Sequence, residues 1–276
     1  MSIVTRRPRT PSLRFQTFLS SDDITTTTPE KSLVVGLKKQ GGRNTYGRIT
    51  VRHRGGGAQR LYRVIDFQRS VRGIEGTVST VEYDPNRNVR IGLVVYKNGV
   101  KRYILLPQTV AVGSKVYAGL DADARPGNAM PLRKVPVGFM VHNIEVNPGR
   151  GGALARSAGT SAQLIGKTDE YATLRMPSSE VRMLHLDCWA TIGELGNADY
   201  KNISWGKAGR TRHLGFRPSV RGMAMNPVDH PHGGGEGRSK SGSHPQSPWG
   251  KGCKGTRTRK RKSALIVRRR KSGKHS

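Results

Sequence analysis

Short apolar runs with period-two character appear only between about Leu61 and Leu195. YRVIDF, GTVSTVEYD, VRIGLVVY and VKRYILLP are rich in Val, Ile and Tyr and are separated by turn residues, which is the pattern of β-strands. Asn98-Gly99 tolerates positive φ and predicts a tight hairpin between the third and fourth runs; Asp84-Pro85-Asn86 and Pro107 mark further breaks. These elements predict a small antiparallel barrel over 61–125, because closure hides edges that otherwise invite aggregation. The Gly- and Pro-rich run from Gly119 to Gly138 reads as an irregular path between two cores, with the linker proper at 126–138. A second strand-rich domain, 139–195, follows in FMVHNIEV, AQLIGK, YATLRM and VRMLHLDCWATI, with a turn at Thr168-Asp169-Glu170. So short a domain buries a modest fraction of its surface and calls for support from a partner or its neighbour.

Outside that interval the pattern fails. Residues 1–60 read as an N-terminal arm containing KSLVVGL and a glycine-rich loop at GRITVRHRGGG. Residues 196–276 combine Gly and Pro with dense positive charge, so neither a helical core nor collapse is favoured; free in water they read as an extended arm that orders against a polyanion.

Charge identifies that partner. The 276 residues carry 49 Lys and Arg against 18 Asp and Glu, a formal net charge of +31 with a sequence pI near 11.2. Such an excess repels itself and requires a dense anionic partner, for which nucleic acid is the leading candidate. No run approaches the roughly 20 apolar residues needed to span a bilayer, and no basic amphipathic helix stands out, so no membrane partner is expected. Arg6, Arg7, Arg9 and Arg14 are not followed by the apolar core of a secretory leader, while Pro8, Pro11, Asp22, Asp23 and Glu30 argue against a transit peptide. Two distant cysteines, Cys188 and Cys253, make neither a zinc ribbon nor a disulfide framework; no cofactor or metal is expected.

The candidate chemistry is distributed RNA binding. Arg52, His53 and Arg54 precede Gly55, Gly56 and Gly57, whose lack of side chains permits a sharp turn or close approach to a nucleic-acid backbone; Arg60, Arg63 and Arg69 continue the basic run. Guanidinium groups make forked phosphate contacts and stack on bases. A second cluster is Lys207, Arg210, Arg212, His213, Arg217 and Arg221. The tail places Arg257, Arg259, Lys260, Arg261 and Lys262 before ALIV, then Arg268, Arg269, Arg270 and Lys271; Leu265, Ile266 and Val267 suit a small protein- or RNA-lined niche. The run from Asp229 to Glu236 sets His230 and His232 beside carboxylates and beside Gly233, Gly234 and Gly235. Metal ligation or proton transfer needs more than this: no nucleophile is placed by the sequence, and HPH lacks the helical spacing of a zinc protease. A compact turn whose glycines admit RNA and whose histidines form hydrogen bonds is the stronger reading, and no catalytic residue is assigned.

GRITVRHRGGG, EYDPNRN, KRYIL, HNIEVNPGRGG with LARSAG, and above all VRGMAMNPVDHPHGGGEGR together resemble the large-subunit ribosomal protein L2 family in its bacterial or organellar form. The resemblance implies an all-β core with an OB-like barrel followed by an SH3-like barrel, flanked by extended basic arms. It also implies binding to large-subunit rRNA near the peptidyl-transferase centre, with roles in assembly and subunit association. Arg87 in EYDPNRN, with Asn226 and Arg238 in and after the long loop, join the expected RNA contacts. Other ribosomal proteins and the small subunit at the interface are implied partners. The compartment implied is the cytoplasmic ribosome, a bacterial form being preferred to one from an organellar stroma or matrix because no convincing transit segment precedes the arm. His213 stands where the family pattern has Trp, and Ser179 where it has Gly. The competing class is a general nucleic-acid-compacting architectural protein, which shares the charge but leaves the two barrels and the histidine loop without a purpose.

Overall fold

The computed structural model describes residues 3–236, 242–256, 261 and 263–270. They fall into two units: residues 3–38, 59–208 and 264–270 in the first, and 39–58 with the described part of 209–263 in the second.

The first unit is mainly β, with short helical turns at Pro11–Arg14, Lys31–Leu33 and Ala198–Asn202. Strands β1 (Ile3–Thr5) and β2 (Thr17–Leu19) pair with each other, and β3 (Val34–Gly36) pairs with β4 (Leu61–Arg63). Strands β5 (Gly76–Glu82), β6 (Ile91–Tyr96), β7 (Lys101–Leu105) and β8 (Lys115–Val116) form an antiparallel sheet in the order β7-β6-β5-β8. The almost unbroken apolar run of β6 is explained by burial on both faces. Ile91 and Leu93 join Tyr103, Leu105, Leu33 and Leu195 on one side, while Val94 and Tyr96 join Val78, Ile104 and Val116 on the other. The predicted hairpin forms: Gly99 has φ +81° and donates to the Tyr96 carbonyl at 2.8 Å.

The remaining strands are β9 (Ala129–Pro131), β10 (Met140–His142), β11 (Ile144–Glu145), β12 (Gly152–Leu154), β13 (Ala162–Lys167), β14 (Tyr171–Arg175), β15 (Val181–His185), β16 (Trp189–Ile192) and β17 (Ile266–Arg268). Seven of them form one sheet in the order β17-β15-β14-β13-β10-β16-β9, and β11 pairs with β12. Its core gathers Met130, Leu132, Val141, Ile144, Leu164, Leu174, Leu184 and Cys188. Among the described residues the hydrogen-bonded order of both large sheets is open, so the architecture is mainly β without the closed ladders expected of the two barrels.

Three segments outside the predicted strands take part in the fold. The linker 126–138 contains β9, an edge strand with Ala129 and Met130 each 1% exposed, and Leu132 and Val135 are fully buried beside it. Its Gly and Pro residues disguise an apolar run, AMPL, that pairs with β16. Part of the N-terminal arm is docked: Arg90 donates from Nε to Asp23 Oδ2 at 2.9 Å, the Thr25 amide donates to the Val81 carbonyl at 3.0 Å, and the Glu30 amide donates to Tyr103 Oη at 2.8 Å. Tyr103 passes its own proton donor to buried Glu82 at 2.8 Å. At the other end, the ALIV segment supplies β17, which extends the seven-stranded sheet beyond β15. Ser179 adopts φ +64°, the left-handed conformation that favours glycine, and its amide donates to Met176 O at 2.9 Å.

Candidate nucleic-acid interface

In the second unit the two basic, glycine-rich clusters that lie far apart in the sequence run antiparallel to each other. The Arg217 amide donates to His53 O at 3.0 Å, Gly55 to Gly215 O at 3.0 Å and Ala58 to His213 O at 2.8 Å, with Arg54 and Phe216 in bridge register. Lys39 Nζ donates to the carbonyls of Gly57 and Ala58, fixing the loop from the other side. The three glycines divide their work. Gly57 has φ +88°, and a Cβ there would lie 3.0 Å from Gly215 Cα and from His213 O, so it allows the two chain segments to meet. Gly55 and Gly56 also have positive φ, but a Cβ there would meet only the side chains of Arg217 or Arg212 at 3.6–3.9 Å. These two leave backbone open beside guanidinium groups.

Around this ladder arginines lie on aromatic rings. The Arg54 guanidinium is 4.5 Å from the Phe216 ring centroid, and Arg52 is 5.2 Å from that of Trp249. Stacking of this kind holds a flexible cation in place while leaving its edge donors free for phosphate. Arg212 donates to Phe216 O at 3.2 Å. A short helix, Ala208–His213, carries Arg210, Arg212 and His213 in its last turn, and Lys207 is exposed just before it. Arg217 and Arg221 are exposed, the latter leading into a 3-10 turn at Gly222–Ala224.

The histidine loop is tightly made. Asn226 O accepts from the amides of Asp229 and His230 at 3.0 and 3.3 Å, His230 O accepts from Gly233 at 2.9 Å, and Met225 O accepts from Gly234 at 3.1 Å. A Cβ on Gly233 would fall 2.3 Å from Asn226 O, and one on Gly222 would fall 2.5 Å from the His230 ring. His230 is 8% exposed, and its Nδ1 accepts from the His232 amide at 3.0 Å, which places the proton of the neutral ring on Nε2. His232 Nε2 accepts from the Gln246 amide at 2.8 Å, so its proton sits on Nδ1, a buried donor without a partner among the described residues. The ring centroids are 5.2 Å apart. Both imidazoles therefore hold the loop together through backbone amides. Asn226 and Gly235 are exposed around it. Among the described residues no group of three or more His, Cys, Asp or Glu side chains is gathered to hold a metal ion.

The first unit places its predicted contacts less uniformly. Arg69 is a departure: at 3% exposure it is turned inward and donates from Nη2 to Gly127 O at 3.0 Å, bracing the segment before β9. Arg63, 9% exposed, donates to Leu61 O, and Arg60 donates to Pro85 O at 3.1 Å. Backbone carbonyls accept from guanidinium donors as phosphates also do, and sequence has no means to tell the two apart. Arg87 pairs with buried Asp84 and lies 5.6 Å from the Phe67 centroid, while Arg156 lies 4.5 Å from the same ring. Arg156 and Phe67, together with Lys39, Phe216 and Trp249, join these contacts without standing out in the sequence, apart from Arg156 in the LARSAG motif. In the tail, Arg261, Arg268, Arg269 and Arg270 are exposed, whereas Arg238, Arg257, Arg259, Lys260, Lys262 and Lys271 lie outside the described residues.

Burial pushes the Cys188 thiol up to about 11, as fits a small core residue, and Cys253 is exposed; both are free. Among the described residues no helix is long and apolar enough to cross a membrane.

Two family models match the chain. Residues 30–118 match the model described as Ribosomal Proteins L2, RNA binding N-terminal domain, and residues 125–250 match Ribosomal Proteins L2, C-terminal domain. The first covers the first glycine cluster and the four-stranded sheet; the second covers the seven-stranded sheet up to β16, the second glycine cluster and the histidine loop. The paired basic segments, the open β-sheets and these matches converge on one conclusion: the chain belongs to the large-subunit ribosomal protein L2 family and is an RNA-binding structural protein of the ribosome.

Proposed function

We propose that this protein binds large-subunit rRNA near the peptidyl-transferase centre through the paired glycine segments and the histidine loop, and supports assembly and subunit association from there. The observation that carries the reading is the antiparallel pairing of residues 53–58 with 213–217, which concentrates Arg52, Arg54, Arg212 and Arg217 around open glycine backbone. Phosphates neutralise such a concentration and the exposed backbone allows close approach. Arg60, Arg87, Lys207, Arg210, His213, Arg221 and the basic tail extend the contact. His230 and His232 organise the loop, and peptide-bond chemistry is left to the RNA. The two large sheets serve as OB-like and SH3-like cores, 61–125 and 139–195, with RNA covering what the open ladders leave exposed. Other ribosomal proteins and the small subunit are the remaining partners, in a bacterial cytoplasm.

Crosslinking in cells followed by sequencing of the attached RNA tests this. Fragments concentrated in large-subunit rRNA are expected; even recovery of chromosomal DNA and unrelated RNA would favour an architectural, nucleic-acid-compacting role instead. If about 6 to 10 cations neutralise phosphates, affinity for the rRNA falls roughly 10^3- to 10^5-fold between about 50 and 200 mM salt.

A further inference from the structure

Trp249 is 73% exposed, an unfavourable position in water for so large an apolar surface. It stands at the tip of a small hairpin. Ser247 N donates to Lys251 O at 2.8 Å, Gly250 N to Ser247 O at 2.9 Å and Cys253 N to Pro245 O at 2.9 Å, while Gln246 and Gly252 form an antiparallel bridge. The base of the hairpin is pinned to the histidine loop by the Gln246 amide on His232 Nε2, at 2.8 Å. The Arg52 guanidinium lies over the indole, 5.2 Å from its centroid, and exposed Lys251 and Lys254 follow within the hairpin and just beyond it. The hairpin thus holds a flat aromatic surface out into solvent, with cations around it and a fixed base below.

We propose that Trp249 is a stacking platform for an unpaired nucleobase of RNA, with Arg52 steadying the indole and Lys251 meeting the adjoining phosphate. The inference rests on the RNA-binding reading of this unit and adds to it the class of nucleotide recognised: a base out of the helical stack, in a loop or bulge. A nucleotide supplies the π-face of its base for the indole and its backbone phosphates for the neighbouring cations at once. An apolar protein pocket would cover the ring only by stripping water from Arg52 and Lys251 without compensation. Charge complementarity therefore selects the nucleotide.

The test uses the full-length chain and full-length large-subunit rRNA. Trp249→Ala is expected to weaken binding roughly 5- to 150-fold, the range of one base–aromatic stack, with the slope of log affinity against log salt unchanged. Trp249→Phe, which keeps a π-face, should recover most of the loss, whereas Lys251→Gln, which removes the cation from the phosphate, should also lower the slope by about 0.7. Zero-length ultraviolet crosslinking of purified large subunits should leave a nucleotide adduct on the peptide containing Trp249. Because the side chain is exposed at a turn, its removal should leave the thermal unfolding midpoint in place. Binding of Trp249→Ala within twofold of wild type overturns the proposal, as does protein–protein crosslinking that sets another ribosomal protein over the indole. A wild-type chain without preference for large-subunit rRNA would instead sink the functional reading on which the inference rests.

Discussion

Gly57 and Gly215 approach so closely that a Cβ on Gly57 would lie 3.0 Å from both the Cα and the amide nitrogen of Gly215. Glycine at 57 is needed twice over, for the contact and for its φ of +88°. Gly57→Ala is expected to cost about 1–2 kcal/mol locally from the left-handed backbone alone and to part the two segments. Faster hydrogen exchange at the Ala58 amide, whose acceptor is His213 O, would report the parting, and rRNA affinity should fall on the order of tenfold. An unchanged Ala58 amide would show that the ladder tolerates a side chain there.

The hydrogen bond from the His232 amide to His230 Nδ1 sets a tautomer that can be observed directly. Nitrogen chemical shifts of selectively labelled protein should show an unprotonated Nδ1 and a protonated Nε2 on His230, and the reverse on His232. Gly222→Ala, whose new methyl would enter the His230 ring, is expected to disturb both patterns and to loosen the loop. A proton found on His230 Nδ1 would remove the basis for assigning it an organising role.

His142 carries a stability dependence on pH. Burial lowers it to about 4 from its ordinary 6.5, assisted by the charge of Arg69 and opposed by the hydrogen bond to Gly193 O. The unfolded chain takes up a proton near pH 6.5 that the folded chain refuses until about pH 4. The contribution is therefore complete above the higher value, declines as pH falls through the window between the two, and is flat below it. The full shift corresponds to about 3 kcal/mol. Comparing denaturant unfolding of wild type and His142→Asn, which keeps a side-chain N–H but does not titrate, should show a shallower decline over that window in the variant. Parallel curves would assign the acid sensitivity to the carboxylates.

Arg90 and Asp23 hold the N-terminal arm against the first sheet, through contacts at 2.9 and 3.3 Å with the arginine side chain only 7% exposed. Asp23→Asn leaves that cation in a poorly hydrated place without its counter-charge, a loss of about 1–3 kcal/mol. Thermal unfolding should shift down, and the Thr25 amide, which donates to Val81 O, should exchange faster. Exchange at Thr25 equal to wild type would mean that the arm is held by its other contacts.

The strands of the first unit and the hairpin at Asn98-Gly99 were legible in the sequence because β-branched runs and turn residues are local signals. Charge pointed to nucleic acid, and the histidine-loop motif pointed to the family, without any geometry. What the sequence concealed was non-local. AMPL pairs as β9 inside a stretch whose Gly and Pro content reads as linker, and ALIV joins the sheet as β17 after a long basic tract. Arg69 and the arginines around Gly55 are equivalent as letters, yet one is sealed against Gly127 O and the others surround open backbone. Composition by itself determined that this chain needs a polyanion, since net charge is a sum over residues. Only tertiary structure decided which cations face outward and that two remote glycine clusters form one surface, because burial and pairing depend on what the rest of the chain brings alongside.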